Sequence, residues 1–240
     1  MLYQFDGTKN GFLTAFPKAY LDEEALLSSK TTQLSIGQGQ VCIETDIRIA
    51  EKVQNRLLSF DRCCMEDLDI LLRSGMDNNE QIAFRYLRLL ARMKAPVGKR
   101  LADLDVFNAV ECMKKVSYEI HRFHGFIRFM ETASGALYAP FSPDNDICDL
   151  LAPYFRGRFP NFPFVLHDVK RKKATVYDGH AIFTAPLNEA QVVLSSGEEE
   201  WQALWKKYYT AVNIPSREQL KQMKGFMPTR YWKYLPETQQ

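Results

Sequence analysis

The apolar residues of this chain change their spacing at Gly125, and that change restricts the fold to a mixed architecture. Before Gly125 they recur mainly at helical intervals; after it they alternate as in a strand. Residues 65–72 and 79–93 carry helical patterns, and Thr45 or Asp46 opens a third helix through Phe60. The longest stretch starts at Asp103, a plausible N-cap, and shows Phe107, Val110, Met113, Ser117 and Ile120 on one face. Gly125 suits the residue just past its end. Beyond it, Phe126–Met130 and Ala136–Ala139 predict a hairpin around Ala133-Ser134-Gly135. Phe162–Val169, Ala174–Tyr177 and Ala181–Thr184 predict three more strands, with turns at Lys170–Lys173 and Asp178–His180. Pro143–Asp146 is expected to cap a short helix through Phe155, and Glu198–Val212 and Ser216–Met223 to form closing helices. At the front, Leu2–Phe5 predicts a strand and Thr8 caps a helix toward Tyr20, with a break or kink at Pro17. Gln40–Ile43 predicts another short strand.

The expected class is α+β, with a helical N-terminal half and an antiparallel sheet of about five strands, on which C-terminal helices pack. Ala95-Pro96-Val97-Gly98 is the clearest break. It separates a mainly helical lobe, residues 1–95, from residues 99–240, which carry the long helix, the sheet and the last helices, the two lobes forming one cooperative unit.

Several function classes are disfavoured by composition. The five cysteines, Cys42, Cys63, Cys64, Cys112 and Cys148, include no C-x-x-C pair and no Cys/His cluster with zinc spacing. Met1–Asp6 lacks a basic start followed by an apolar run, and no apolar stretch approaches the roughly 20 residues of a membrane span. The expectation is a reduced, cytoplasmic protein with no membrane association, no disulfide framework, no metal and no cofactor.

The net charge is only +2, but its distribution is uneven. From Arg156 to Lys173, six basic residues (Arg156, Arg158, Lys170, Arg171, Lys172 and Lys173) face only Asp168, leaving +5. From Trp201 to Tyr234, seven basic residues, Arg230 and Lys233 among them, face only Glu218, leaving +6. Aromatic residues such as Phe159, Tyr208, Tyr231 and Trp232 interleave with these charges. Cations for phosphates beside rings for exposed bases suit nucleic-acid contact. The apolar tail Met227–Tyr234 either packs back on the body or presents Trp232 and Arg230 to a partner.

Histidines offer the few candidates for chemistry. His121 and His124 are three apart near the end of the long helix and share a face. They could begin a metal site if His167 or Asp168 completed it; otherwise, as imidazolium, they suit the helix carboxyl end. His167 and Asp168 end a strand and point to opposite faces, so they do not pair with each other; Arg171 or a residue on the strand of Arg128 could pair with one of them.

An ordered set of motifs carries a family resemblance. It comprises Tyr3-x-Phe5-Asp6-Gly7 with Gly11–Ala15, and Glu119-x-His121-Arg122-x-x-Gly125-Phe126-x-Arg128-Phe129. It continues through Leu137-Tyr138-Ala139, Arg158-Phe159, His167-Asp168-x-x-Arg171 and Tyr177-Asp178 to Met227-Pro228-x-Arg230-Tyr231-Trp232-Lys233. Across essentially its whole length the chain resembles a bacterial family of DNA-metabolism and DNA-repair proteins built on a domain of unknown function. The resemblance implies a gene neighbour encoding a radical S-adenosylmethionine (radical SAM) protein of DNA-modification or repair type, and kinship with domains fused to uracil-DNA-glycosylase-like domains. A radical SAM protein needs three closely spaced cluster cysteines, which this chain lacks, so it fits the companion.

The leading expectation is an accessory protein that binds DNA or RNA and works with a radical SAM partner. Its expected contacts are Arg122, Arg128, Arg156, Arg158, Arg171, Lys172, Arg230, Trp232 and Lys233. One rival is a nucleic-acid-processing enzyme using His121, His124, His167 and Asp168. The other is a protein–protein adaptor that makes no nucleic-acid contact.

Overall fold

A computed structural model describes residues 1–30, 39–212, 214 and 220–239. The architecture is α+β, and the chain forms two compact units, Met1–Ser117 and Tyr118–Gln240. The division between them falls inside the longest helix.

The first unit contains β1 (Leu2–Gln4), α1 (Lys9–Ala19), β2 (Leu26–Ser28), β3 (Gln40–Cys42), α2 (Ile47–Leu58), α3 (Cys64–Leu72), α4 (Asn79–Met93) and the start of α5 (Leu104–Phe126). Its strands form a parallel sheet in the order β2-β1-β3. The sequence reading missed β2, which is only three residues long and has no alternation to betray it. Side chains of α4 complete it: Gln81 accepts from the Leu27 N–H at 2.9 Å, and Glu80 accepts from the Ser29 N–H at 2.7 Å. The edge donors of β2 are thereby satisfied without another strand.

Local chemistry explains the helix starts. Thr8 caps α1 by accepting from the Gly11 N–H at 2.9 Å. A Cβ at Gly11 would lie 2.1 Å from Asp6 Oδ1, so a larger residue would displace the carboxylate that Thr8 and Thr45 hold. Asp46 caps α2 by accepting from the N–H groups of Arg48 and Ile49. The predicted break at Pro17 does not occur: Pro17 stays within α1, which ends two residues later at Ala19. The core gathers Phe12, Leu13, Phe16, Leu68, Leu71, Phe84 and Leu87 with Val106, Ala109 and Cys112 of α5.

The second unit holds the end of α5, then β4 (Met130–Glu131), β5 (Leu137–Phe141), α6 (Cys148–Arg158), β6 (Phe164–Asp168), β7 (Lys173–Tyr177) and β8 (Ile182–Pro186). After them come α7 (Glu198–Val212), α8 (Leu220–Phe226) and 3-10 helices at Thr229–Tyr234 and Pro236–Thr238. The five strands are ordered β4-β5-β6-β7-β8. Pairing is antiparallel except between β5 and β6, which run parallel because α6 carries the chain back between them. The first 3-10 helix packs on β5 and the second on α7. Among the described residues, no helix is long and apolar enough to cross a membrane.

Three local expectations need correction. The strand predicted over Phe126–Met130 is confined to Met130 and Glu131, because Phe126 still belongs to α5 and Phe129 packs edge-on against Phe155, Phe159 and Phe164. Pro143–Asp146 does not cap α6; Ile147 precedes that helix with no side-chain cap, and the loop N–H groups go elsewhere. Helix α6 also runs past Phe155 to Arg158. The predicted opening of the last helix at Ser216 lies outside the described residues.

Replacing Asp46 with alanine should lower stability by about 1 kcal/mol, as for other lost N-caps, whereas Asp46→Asn should retain most of it. Urea denaturation of the full chain measures both.

Candidate functional site

A buried carboxylate organises the second unit. Glu119, on α5, is 5% exposed. It accepts hydrogen bonds from the backbone N–H groups of Asp144 and Asn145, both at 2.8 Å, and from Asn145 Nδ2 at 2.6 Å. The Tyr231 hydroxyl donates a fourth, at 2.5 Å. Tyr231 is itself 2% exposed and packs against Phe123 and Phe126. Burial and the neighbouring Glu119 push its hydroxyl pKa well up. The apolar tail therefore packs back on the body.

The same loop anchors two of the predicted contact residues. Arg171 donates to Asp168 at 3.0 Å and to the carbonyls of Pro143 and Asp144. Asp168 is fully buried and also accepts from the Arg171 N–H. Arg230 pairs with Asp144 and lies over the Tyr231 ring, 4.6 Å from its centroid. Trp232 is half-buried and donates its indole N–H to the Met227 carbonyl at 2.9 Å. Arg122 is half-buried on α5.

The histidines do not converge. His167 is 3% exposed; its Nδ1 shares a 2.7 Å hydrogen bond with the Tyr138 hydroxyl, and its Nε2 contacts the Leu187 carbonyl at 3.2 Å. Asp168 turns to Arg171 instead. His124 stacks on Tyr154 with ring centroids 4.0 Å apart, and its buried Nε2 has no hydrogen-bond partner among the described residues. Burial, aided by nearby His121, lowers the pKa of His124, which disfavours the imidazolium expected to cap the helix end. Among the described residues, no three His, Cys, Asp or Glu side chains gather to hold a metal ion.

Nor does the basic segment form one patch. Arg156 and Arg158 precede β6, and Lys170–Lys173 follow it, roughly 16 Å away along the strand. Arg171 is taken up by the loop, and Lys173 pairs with Asp146. Lys170, Lys172, Arg156 and Arg158 remain exposed.

Arg158 does meet other predicted residues in a cleft of about 740 Å³ within this unit. Arg128, Arg158, Lys233 and His124 line it, beside Phe129, Phe159, Trp201, Trp205 and Tyr234. One wall is clamped by Glu237, whose carboxylate accepts from Arg128 Nη2 at 2.6 Å and from the Trp205 indole N–H at 2.9 Å. The Arg128 guanidinium also lies 5.3 Å from the Trp205 ring centroid and donates to the Gly125 carbonyl at 2.6 Å. Burial alone would raise the Glu237 pKa, but these hydrogen bonds hold it below the usual carboxylate range. Glu198 secures the start of α7 by accepting from the Glu131 N–H at 2.8 Å. Arg158 and Lys233 lie over the rings of Phe159 and Tyr234, and neither makes an ion pair among the described residues.

Sequence reasoning gave no role to Glu119, Glu198 or Glu237, although Glu119 opens one of the quoted motifs. Glu119 carried a usable signal: it follows Cys112 and Val116 and precedes Phe123 at helical spacing, a charge within an apolar stripe. Glu198 and Glu237 carried none, because their partners are remote in sequence.

Tyr231→Phe removes one donor from a buried carboxylate and should cost about 1.5–3 kcal/mol by urea denaturation. A second prediction concerns acid. The folded-state pKa of Glu237 is depressed, so its contribution is present above the ordinary glutamate value, about 4.3, and is lost as pH falls through the lower folded value. Glu237→Gln should therefore lower stability at neutral pH and lose less on acidification than the parent, as thermal melts across pH would show.

No curated protein and no solved structure matches the chain. The family model described as a domain of unknown function, DUF4130, matches residues 77–237, about two-thirds of the chain, and takes in the Glu119 network, the five-stranded sheet and most of the cleft. The chain thus belongs to the DUF4130 family.

Proposed function

We propose that this protein is an accessory factor of DNA metabolism or repair that binds nucleic acid through the cleft of its second unit and works beside a radical SAM enzyme. The observation that carries the reading is the convergence of Arg158 and Lys233 with Trp201, Trp205 and Tyr234 in one concave site. Cations without an ion pair among the described residues suit phosphate oxygens, and the exposed Trp201 ring suits a base. Arg156, Lys170 and Lys172 extend the positive surface outside the cleft, while Arg171 and Arg230 support the loop that shapes the unit. The radical SAM partner and the kinship with uracil-DNA-glycosylase fusions rest on the ordered motifs from Tyr3 to Lys233 and on the absence of cluster-spaced cysteines. Cys64, Cys112 and Cys148 are buried, as packing residues are.

The adaptor reading draws on one observation. Helix α7 exposes Trp201, Leu204 and Tyr208, an apolar face of the kind proteins use to meet partners.

Purified protein should bind labelled single-stranded, duplex and uracil-containing DNA, with an affinity that falls with salt on a log–log slope of several units. The Arg158→Ala/Lys233→Ala double variant should keep its fold and reduce that slope by about two, one per lost phosphate contact. Absence of binding at low salt would remove the nucleic-acid reading and leave the adaptor.

A further inference from the structure

We infer that the cleft receives a single unstacked nucleobase from an unpaired stretch of nucleic acid, and that Trp201 supplies the ring on which it stacks. This rests on the nucleic-acid reading above and narrows it to a class of substrate.

Charge provides the first argument. The Arg128 cation is matched by Glu237, so among the described lining residues Arg158 and Lys233 are the cations left for incoming phosphates, on a lining that also carries Glu131 and Glu198. Two cations are few for the backbone of a duplex, whose grip on proteins comes from many phosphate contacts. They are enough for the phosphates flanking one nucleotide.

Ring geometry provides the second. Trp205 is held: its indole N–H is bonded to Glu237, and a guanidinium lies on its face. Trp201, one helical turn earlier on the same face of α7, is 63% exposed. One wall is thus rigid, and the adjoining ring is open. Phe129 and Phe159 pack edge-on at 5.3 Å and add apolar surface to the lining. Bases stacked and paired inside a duplex cannot present their faces to such rings, whereas an unpaired or extruded base can.

Size provides the third. About 740 Å³ lies within the range of sites that enclose a small ligand, and well short of a groove that holds a double helix.

The test titrates the full chain with fluorescein-labelled oligothymidine and with a blunt duplex of equal length at one salt concentration, reading anisotropy and tryptophan fluorescence. Two of the three tryptophans, Trp201 and Trp205, line the cleft, so stacking should quench the intrinsic signal. The expected result is single-strand binding at least about tenfold tighter than duplex binding, with quenching. Trp201→Ala should weaken single-strand binding about tenfold or more and leave duplex binding unchanged, while Trp201→Phe keeps most of the affinity. Circular dichroism melts check that the variants fold; if Trp201→Ala does not, the wild-type preference and quenching decide alone. Equal, salt-sensitive binding to both DNAs without quenching would overturn this inference and leave the nucleic-acid role standing. Failure to bind either DNA would remove both.

Discussion

A carboxylate placed where an apolar side chain would ordinarily sit holds the second unit together. Glu119 occupies the buried stripe of α5 and is satisfied by four donors, two of them backbone N–H groups of the loop that precedes α6. An unpaired buried charge is strongly unfavourable, so the loop and the tail must both close on Glu119 for the unit to be stable. Through Asp144 the same loop reaches Arg171 and Arg230, and through Arg171 the buried Asp168 at the end of β6. Arg171, which reads in sequence as a free cation, is part of this interior framework, and Arg230 braces the loop from the surface.

That network marks the boundary of what the sequence discloses. Elements set by local chemistry were legible: Thr8 and Asp46 sit where their hydroxyl and carboxylate cap helices, whereas Gly125, expected just past the end of the longest one, lies inside its last turn without the left-handed φ of a capping glycine. Features set by distant partners were not. Strand β2 exists because α4 offers Gln81 and Glu80 to its edge, which nothing in Leu26–Ser28 announces. The parallel pairing of β5 with β6 depends on where α6 returns the chain, and hairpin reasoning does not see a crossover. The basic run from Arg156 to Lys173 looked continuous because sequence distance hides β6, which sets its halves at opposite ends of a strand. Of the nine expected contact residues, Arg128, Arg158 and Lys233 came together in the cleft because α5, α6 and the tail end there.

Within the cleft, one glutamate gives the surrounding residues different parts. By binding both Arg128 and Trp205, Glu237 converts a cation and an indole into fixed wall. What remains adaptable is Trp201, with Arg158 and Lys233 over their own aromatic neighbours. A wall set before any ligand arrives lowers the ordering cost of binding.

The bond between Glu119 and Tyr231 spans 112 positions of the chain, and the one between Arg128 and Glu237 spans 109. During synthesis the helix bearing Glu119 leaves the ribosome long before either partner exists, so its carboxylate must wait in water. The first unit, compact over Met1–Ser117, is free to fold while translation continues. The second cannot finish until residue 237 has emerged. Its cleft is therefore among the last features of the protein to form, and a nascent chain stalled before Tyr231 would carry a folded first unit ahead of a second that has yet to close.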